Sequence, residues 1–127
     1  MLLFLLGLVT GLVVPAMTNP RAGLAAHLEG VMNGIFLVVV GLAWPEIRLS
    51  ERLGRLVAGL LLVGSYANWA ATTASAVLGT SKGTPIAGAG FTAGPVAEHA
   101  VYATLVVVAL AMLVASIGLV IGAWRRK

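Results

Sequence analysis

Residues 23–44 read GLAAHLEGVMNGIFLVVVGLAW. The second half is an apolar run that ends at Trp44-Pro45, the composition of a helix that crosses a bilayer and stops at its interface. The first half sets His27, Glu29 and Asn33 into the same apolar surroundings. An ionisable side chain in such a segment is expensive to keep there, so it marks a functional group by default. The rest of the chain reads as scaffold for these groups and for a matching set further on.

The composition agrees with that reading. Of 127 residues, 60% are hydrophobic and 9% charged, whereas soluble domains carry about a quarter charged residues. A surface with so few charges has to be covered by lipid, and the chain reads as an integral membrane protein. Without cysteine there are no thiol nucleophiles, disulfides, iron–sulfur clusters or thiolate-ligated haem. The net charge of +4 is no nucleic-acid footprint, because most basic residues sit at segment ends, where they report orientation.

Four apolar segments follow one another: about 1–17, 22–44, 53–78 and 96–124. The opening MLLFLL has no basic n-region and reads as a retained first span rather than a signal peptide. Asn19-Pro20 makes a turn, Pro45 stops the second span, and Pro95 opens the fourth at a first-turn position. Residues 79–95 form a Gly- and Thr-rich loop. The apolar runs are too long, and alternate too little, for strands. The expected fold is an all-α, up-down-up-down, integral-membrane four-helix bundle, a single transmembrane domain. Arg48, Arg52, Arg55, Arg125, Arg126 and Lys127 fall on one side and Arg21 and Lys82 on the other. That bias places both termini in the cytoplasm and, in a bacterium, the bundle in the inner membrane.

Helical periodicity sorts the polar residues. His27, Gly30 and Gly34 share one face of the second helix, and Glu29 and Asn33 share another. The glycines would admit something flat, or another backbone, beside the imidazole. On the third helix Ser65, Asn68 and Thr72 share a face, with Tyr66 and Thr73 on a neighbouring one. Asn33 and Asn68 each lie about 10 residues from the outer end of their helix, hence at similar depth. Glu98, His99 and Tyr102 lie near the same end of the fourth helix. The pattern predicts convergence of three helices on a buried pocket beneath the 79–95 loop. Plainer roles compete: a hydrogen bond to a neighbouring helix for His27, interhelical bonding for Ser65 and Thr73, an interfacial position for Glu98 and His99. Trp69 alone of the tryptophans reads as internal. Glu29, two turns inside, has to be protonated or partnered.

A neutral imidazole in an apolar, Gly-flanked setting is a good axial ligand for haem iron. That makes His27 the candidate metal ligand and Gly30 and Gly34 candidate cofactor-binding positions. A carboxylate with amides nearby can steer a proton or hold a polar substrate, which gives Glu29, Asn33 and Asn68 candidate catalytic roles, with Thr72 and Tyr66 beside them.

The segments AHLEGVMNG, GSYANWAATT and TSKGTPIAGAGFTAGP resemble the hydroxylaminobenzene mutase family of small four-helix bacterial membrane enzymes, a likeness that runs over most of the chain from Asn19 onward. More distantly the chain is similar to the styrene oxide isomerases, through the spacing of His27, Asn33 and Gly34 and an asparagine matching Asn68. The resemblance implies an isomerase with no net redox change that moves the hydroxyl of an aryl hydroxylamine from nitrogen to the ring, giving a 2-aminophenol. By the same resemblance, haem b held by His27 lies between the subunits of a homotrimer and acts as a Lewis acid, while Asn33 helps to hold a small aromatic substrate. Two departures from the isomerases, Thr72 where they place a tyrosine and an acid at Glu29 where they have none, set epoxide isomerisation second. Two further readings belong to other classes: a small proton-coupled multidrug transporter centred on Glu29, which leaves His27 and Asn33 without a role, and a haem-carrying or structural subunit of a larger complex.

Overall fold

Three prolines and two polar caps divide the first half of the chain. In the computed structural model, which describes residues 1–124, α1 spans Leu2–Val13 and runs into a 3₁₀ turn at Val14–Ala16 around Pro15. Helix α2 (Pro20–Ala43) starts where Asn19 caps it: the side-chain oxygen accepts from the Arg21 and Ala22 amides at 3.1 and 3.2 Å, and Pro20 takes the first helical position. A second 3₁₀ turn, Trp44–Glu46, holds Pro45. Helix α3 (Glu51–Leu78) is capped by Ser50 and ends at Gly79, whose φ of 71° is the left-handed conformation that closes helices. Helix α4 is Pro95–Trp124. The described residues contain these four helices and no strand.

Three helices are long and apolar enough to cross a membrane; α1 with its turn, Leu2–Ala16, is shorter. At 1.5 Å per residue it reaches about 22 Å, against a hydrocarbon core of roughly 30 Å. Helices α2, α3 and α4 thus have the length of full spans, and the first segment is the short one, ended early by Pro15 and Asn19-Pro20. The boundaries of α2 and α3 begin two residues before the expected ones because Asn19 and Ser50 act as caps. Arg125, Arg126 and Lys127, half of the basic cluster used for orientation, lie outside the described residues.

Each helix packs on the next in sequence. Large apolar side chains face outward on all of them, with Leu12 81%, Leu42 78% and Val107 64% exposed. So much exposed apolar surface is a lipid-facing surface. Val57, Leu61 and Ala115 form a dry core, with Phe36, Leu37 and Met112 packed against it, in the half of the bundle away from the 79–95 loop. The polar groups occupy the other half. There the ends are tied together: the Asn19 amide donates to the Ala76 carbonyl at 2.9 Å, Asn19 Nδ2 to the Ala87 carbonyl at 2.8 Å, and Thr18 Oγ1 to the Val77 carbonyl at 2.7 Å. Arg21 adds a hydrogen bond to the Ala89 carbonyl. Asn19 is thus fully buried and joins α2, α3 and the loop.

Candidate functional site

The buried stripe of α2 is made of small residues: Ala22, Gly23, Ala26, Gly30 and Gly34. Helix α1 lies directly on it. A Cβ on Gly30 would stand 2.5 Å from Gly7 Cα, and one on Gly34 would stand 2.5 Å from the Phe4 nitrogen. Of the two occupants that the sequence allowed beside these glycines, the structure places the backbone of α1 there, and the space expected for a flat cofactor at Gly30 and Gly34 is taken.

His27 lies on one edge of this stripe. Its Nδ1 is 2.8 Å from the Gly7 carbonyl, so Nδ1 carries the proton and donates. The ring edge sits in a notch of α1, where a Cβ on Gly11 would come within 2.7 Å of Nδ1. Nε2 is left as the basic nitrogen. The ring lines a cavity of ≈ 630 Å³, open on the outer face of α1 and α2, whose other walls include Leu5, Leu8, Leu12 and Leu24. A histidine that donates from Nδ1 to a carbonyl and offers Nε2 to an apolar space has the arrangement of a metal-ligating imidazole. Among the described residues no three potential metal ligands gather, so the donor set suits a metal that brings most of its own ligands. Haem on a single axial histidine fits that description.

Glu29 lies on the other edge, about 160° around the helix axis from His27. Its Oε2 accepts from Asn33 Nδ2 at 3.2 Å, one turn along α2, and from Asn68 Nδ2 of α3. The depth match expected for Asn33 and Asn68 is met at this carboxylate. Oε1 has no hydrogen-bond partner among the described residues, and no salt bridge reaches Glu29 there. Two neutral amides thus fix one oxygen in place and leave the other able to take or give a proton.

The remaining candidates do not join this group. Thr72 is buried and its hydroxyl donates to the Asn68 carbonyl of its own helix at 2.9 Å. Tyr66 projects from the side of α3 roughly opposite Asn68. Neither Ser65 nor Thr73 bridges helices: Thr73 bonds back to the Trp69 carbonyl at 2.7 Å, and the buried Ser65 hydroxyl has no partner among the described residues. Thr73 thus uses the backbone acceptor one turn back and needs no second helix. Nor does α4 contribute to a common pocket. Glu98 turns to the loop and accepts from the amides of Ser81 (3.1 Å to each oxygen), Lys82 (2.8 Å) and Ala93 (3.1 Å). His99 bonds the Pro95 carbonyl of its own helix at 2.7 Å, and Tyr102 is exposed beneath Lys82 Nζ, 5.1 Å from its ring centre. The expected convergence of three helices resolves into two groups, one on each edge of the α2 stripe, with Glu98 serving the loop. The sequence reading missed Gly7 and Gly11, which make the notch for His27. Their i, i+4 spacing in an apolar helix was the available signal.

Comparisons with known proteins identify the family. The family described as styrene oxide isomerase matches residues 1–124. Hydroxylaminobenzene mutase HabA of Ectopseudomonas oleovorans is 42% identical over 126 residues, 98% of this chain and 93% of the relative. Hydroxylaminobenzene mutase HabB of the same organism is 43% identical over 113 residues, 88% of this chain and 69% of the relative. No solved structure matches. This chain therefore belongs to the styrene oxide isomerase family and is an isomerase or mutase enzyme of the membrane.

Proposed function

We propose that this enzyme converts aryl hydroxylamines such as hydroxylaminobenzene into 2-aminophenols by moving the hydroxyl from nitrogen to the ortho carbon. The observation that carries the reading is the Glu29 carboxylate, held through one oxygen by Asn33 and Asn68 with the other left over. The reaction is an isomerisation: the N–O bond breaks, a C–O bond forms, the ortho carbon gives up a proton and the nitrogen takes one. One carboxyl group does both transfers in turn, accepting the ring proton on Oε1 and returning it to nitrogen. Asn33 and Asn68 keep that oxygen in place, so little reorganisation is needed at the moment of transfer. An apolar site keeps bulk water from the electron-poor ring that forms as the N–O bond loosens, and aromatic substrates reach it from the bilayer.

The reading includes haem b, which His27 would hold through Nε2. When bound, it supplies a Lewis acid that draws electron density from the N–O bond. The part of His27 is to hold its proton on Nδ1, against the Gly7 carbonyl, so that Nε2 stays a donor of electrons. We place the bundle in the bacterial inner membrane, up-down-up-down with both termini cytoplasmic, as a homotrimer. In such an assembly a neighbouring copy closes the outward-facing cavity and brings a second set of side chains to it. Epoxide isomerisation is the second reading, favoured by the family match itself.

The test uses purified protein in lipid, with hydroxylaminobenzene and no added reductant or oxidant. The expected product is 2-aminophenol, formed by the native protein and reduced at least a hundredfold in Glu29→Gln, the range of a lost general acid–base group. Turnover of styrene oxide in place of hydroxylaminobenzene moves the assignment to the second reading. A visible haem band in the native protein, lost in His27→Ala, checks the cofactor; its absence after expression with haem supplied removes the cofactor from the proposal.

A further inference from the structure

One polar contact between helices lies outside both groups. Trp69 Nε1 donates to Thr10 Oγ1 at 3.0 Å, and Thr10 donates to the Leu6 carbonyl of its own helix at 2.8 Å. Thr10 is the single polar side chain of α1, whose sequence is LLFLLGLVTGLV, and it is 4% exposed. The other side chains of α1 are apolar. Against lipid and apolar neighbours they give little directional restraint, because lipid tails are as apolar as leucine. The hydrogen bond from Trp69 thus joins the His27–Gly7 hydrogen bond and the glycine crossing in restraining the rotation and height of α1, and it is the one made through a side chain of α1.

That position matters for His27. The Gly7 carbonyl, which takes the Nδ1 proton, lies three residues before Thr10, and Gly11, which makes room for the ring, is the residue after it. The Trp69 indole also touches the crossing point of α1 and α2: its Cδ1 would be 2.9 Å from a Cβ on Gly30, the residue that abuts Gly7. Trp69 therefore reaches α1 through Thr10 and reaches the Gly7–Gly30 contact through its ring. A slide of one residue, about 1.5 Å along the axis, stretches the 2.8 Å contact at Nδ1 to about 3.2 Å, the limit of hydrogen-bond range, if it runs across the bond, and beyond that range if it runs along it.

We propose that Trp69 is a positioning residue for His27: through Thr10 it holds α1 at the register where the Gly7 carbonyl captures the Nδ1 proton, so that the lone pair of the ring stays on Nε2. In water a neutral imidazole prefers its proton on Nε2, so it is the hydrogen bond to that carbonyl that shifts the balance to the tautomer needed at the cavity. This rests on the reading of His27 as a working residue, but it is tested on the ring itself.

The chain has two histidines, and His99 is exposed and bonded only to its own helix. In a His99→Gln background, ¹⁵N-labelled histidine reports on His27 alone, and the two ring-nitrogen shifts identify the tautomer in protein reconstituted without added haem. The expected parent spectrum shows protonated Nδ1 and bare Nε2. Trp69→Phe and Thr10→Val, which keep most of the volume, are both expected to shift the spectrum toward protonated Nε2, whereas Thr10→Ser, which keeps the hydroxyl, retains the parent spectrum. A parent with protonated Nε2 overturns the proposal. So does a parent spectrum in Trp69→Phe at native helix content or, if that variant does not fold, in Thr10→Val. Full hydroxylaminobenzene turnover by His27→Ala refutes the catalytic reading of His27 and is distinguishable, because it leaves the tautomer result standing.

Discussion

Gly30→Ala separates the two occupants once conceivable beside His27. The added Cβ stands 2.5 Å from Gly7 Cα, 2.9 Å from the Gly7 nitrogen and 2.9 Å from Trp69 Cδ1. Carbon atoms in contact prefer about 3.5–4.0 Å, so α1 has to retreat by about 1 Å or more. Two of the three neighbours are backbone atoms, which cannot swing aside as a side chain does. Overpacking of this kind costs about 1–3 kcal/mol. The retreat also stretches the bond between His27 Nδ1 and the Gly7 carbonyl from 2.8 Å to the edge of its range. Gly41→Ala is the matched control on the same helix, because nothing lies within 4 Å of a Cβ there. The assay is thermal unfolding of the two variants in one detergent, followed by helical circular dichroism. The expected result is a lowered midpoint for Gly30→Ala and a native or slightly raised one for Gly41→Ala, alanine being the better helix former. Equal midpoints would refute the packing of α1 on Gly30 and return that space to a ligand.

Ser65→Ala removes a buried hydroxyl with no partner among the described residues; since an unmet polar group costs about 1–3 kcal/mol, the expected unfolding midpoint is unchanged or higher, and a fall contradicts the assignment. Glu98→Ala leaves the amides of Ser81, Lys82 and Ala93 without their acceptor, so trypsin is expected to cut after Lys82 faster than in the native protein; an unchanged rate means that Asn19 and Arg21 hold the loop unaided. If cavity and carboxylate meet across a subunit boundary, co-expressed His27→Ala and Glu29→Gln chains, each inactive alone, recover about a quarter of native turnover in randomly mixed rings. No recovery refutes a site shared across the boundary.

The helices were legible in the sequence because apolar runs of this length admit no other structure in lipid. The pairing of Asn33 with Asn68 at a common depth was legible for a related reason: rise per residue is fixed, so counting from the helix ends measures depth. Lateral placement was not. Periodicity gave two faces for His27 and Glu29, but it did not say which neighbouring helix covers each face. The answer lies in α1, whose apolar side chains carry no directional signal, and in the crossing of Gly7 with Gly30, a backbone contact. Glu98 was misplaced for another reason. Its three partners are main-chain amides of the loop, and every residue but proline has one, so no side-chain pattern announces them.

The packing gives a physical reason for two polar groups on opposite edges of one helix. Burying a carboxyl and an imidazole in the same apolar pocket invites proton transfer between them, and a protonated His27 has no lone pair left for a metal. The winding of α2 sets the two on opposite edges of the stripe that α1 covers, and each has its own neutral partners: a carbonyl for His27, two amides for Glu29. Neither is held by an ion pair, which in lipid is costly to bury and costlier to break. The short α1 covers the stripe between them and supplies the carbonyl that His27 bonds, so changes in its register are expected to alter the chemistry before they unfold the bundle.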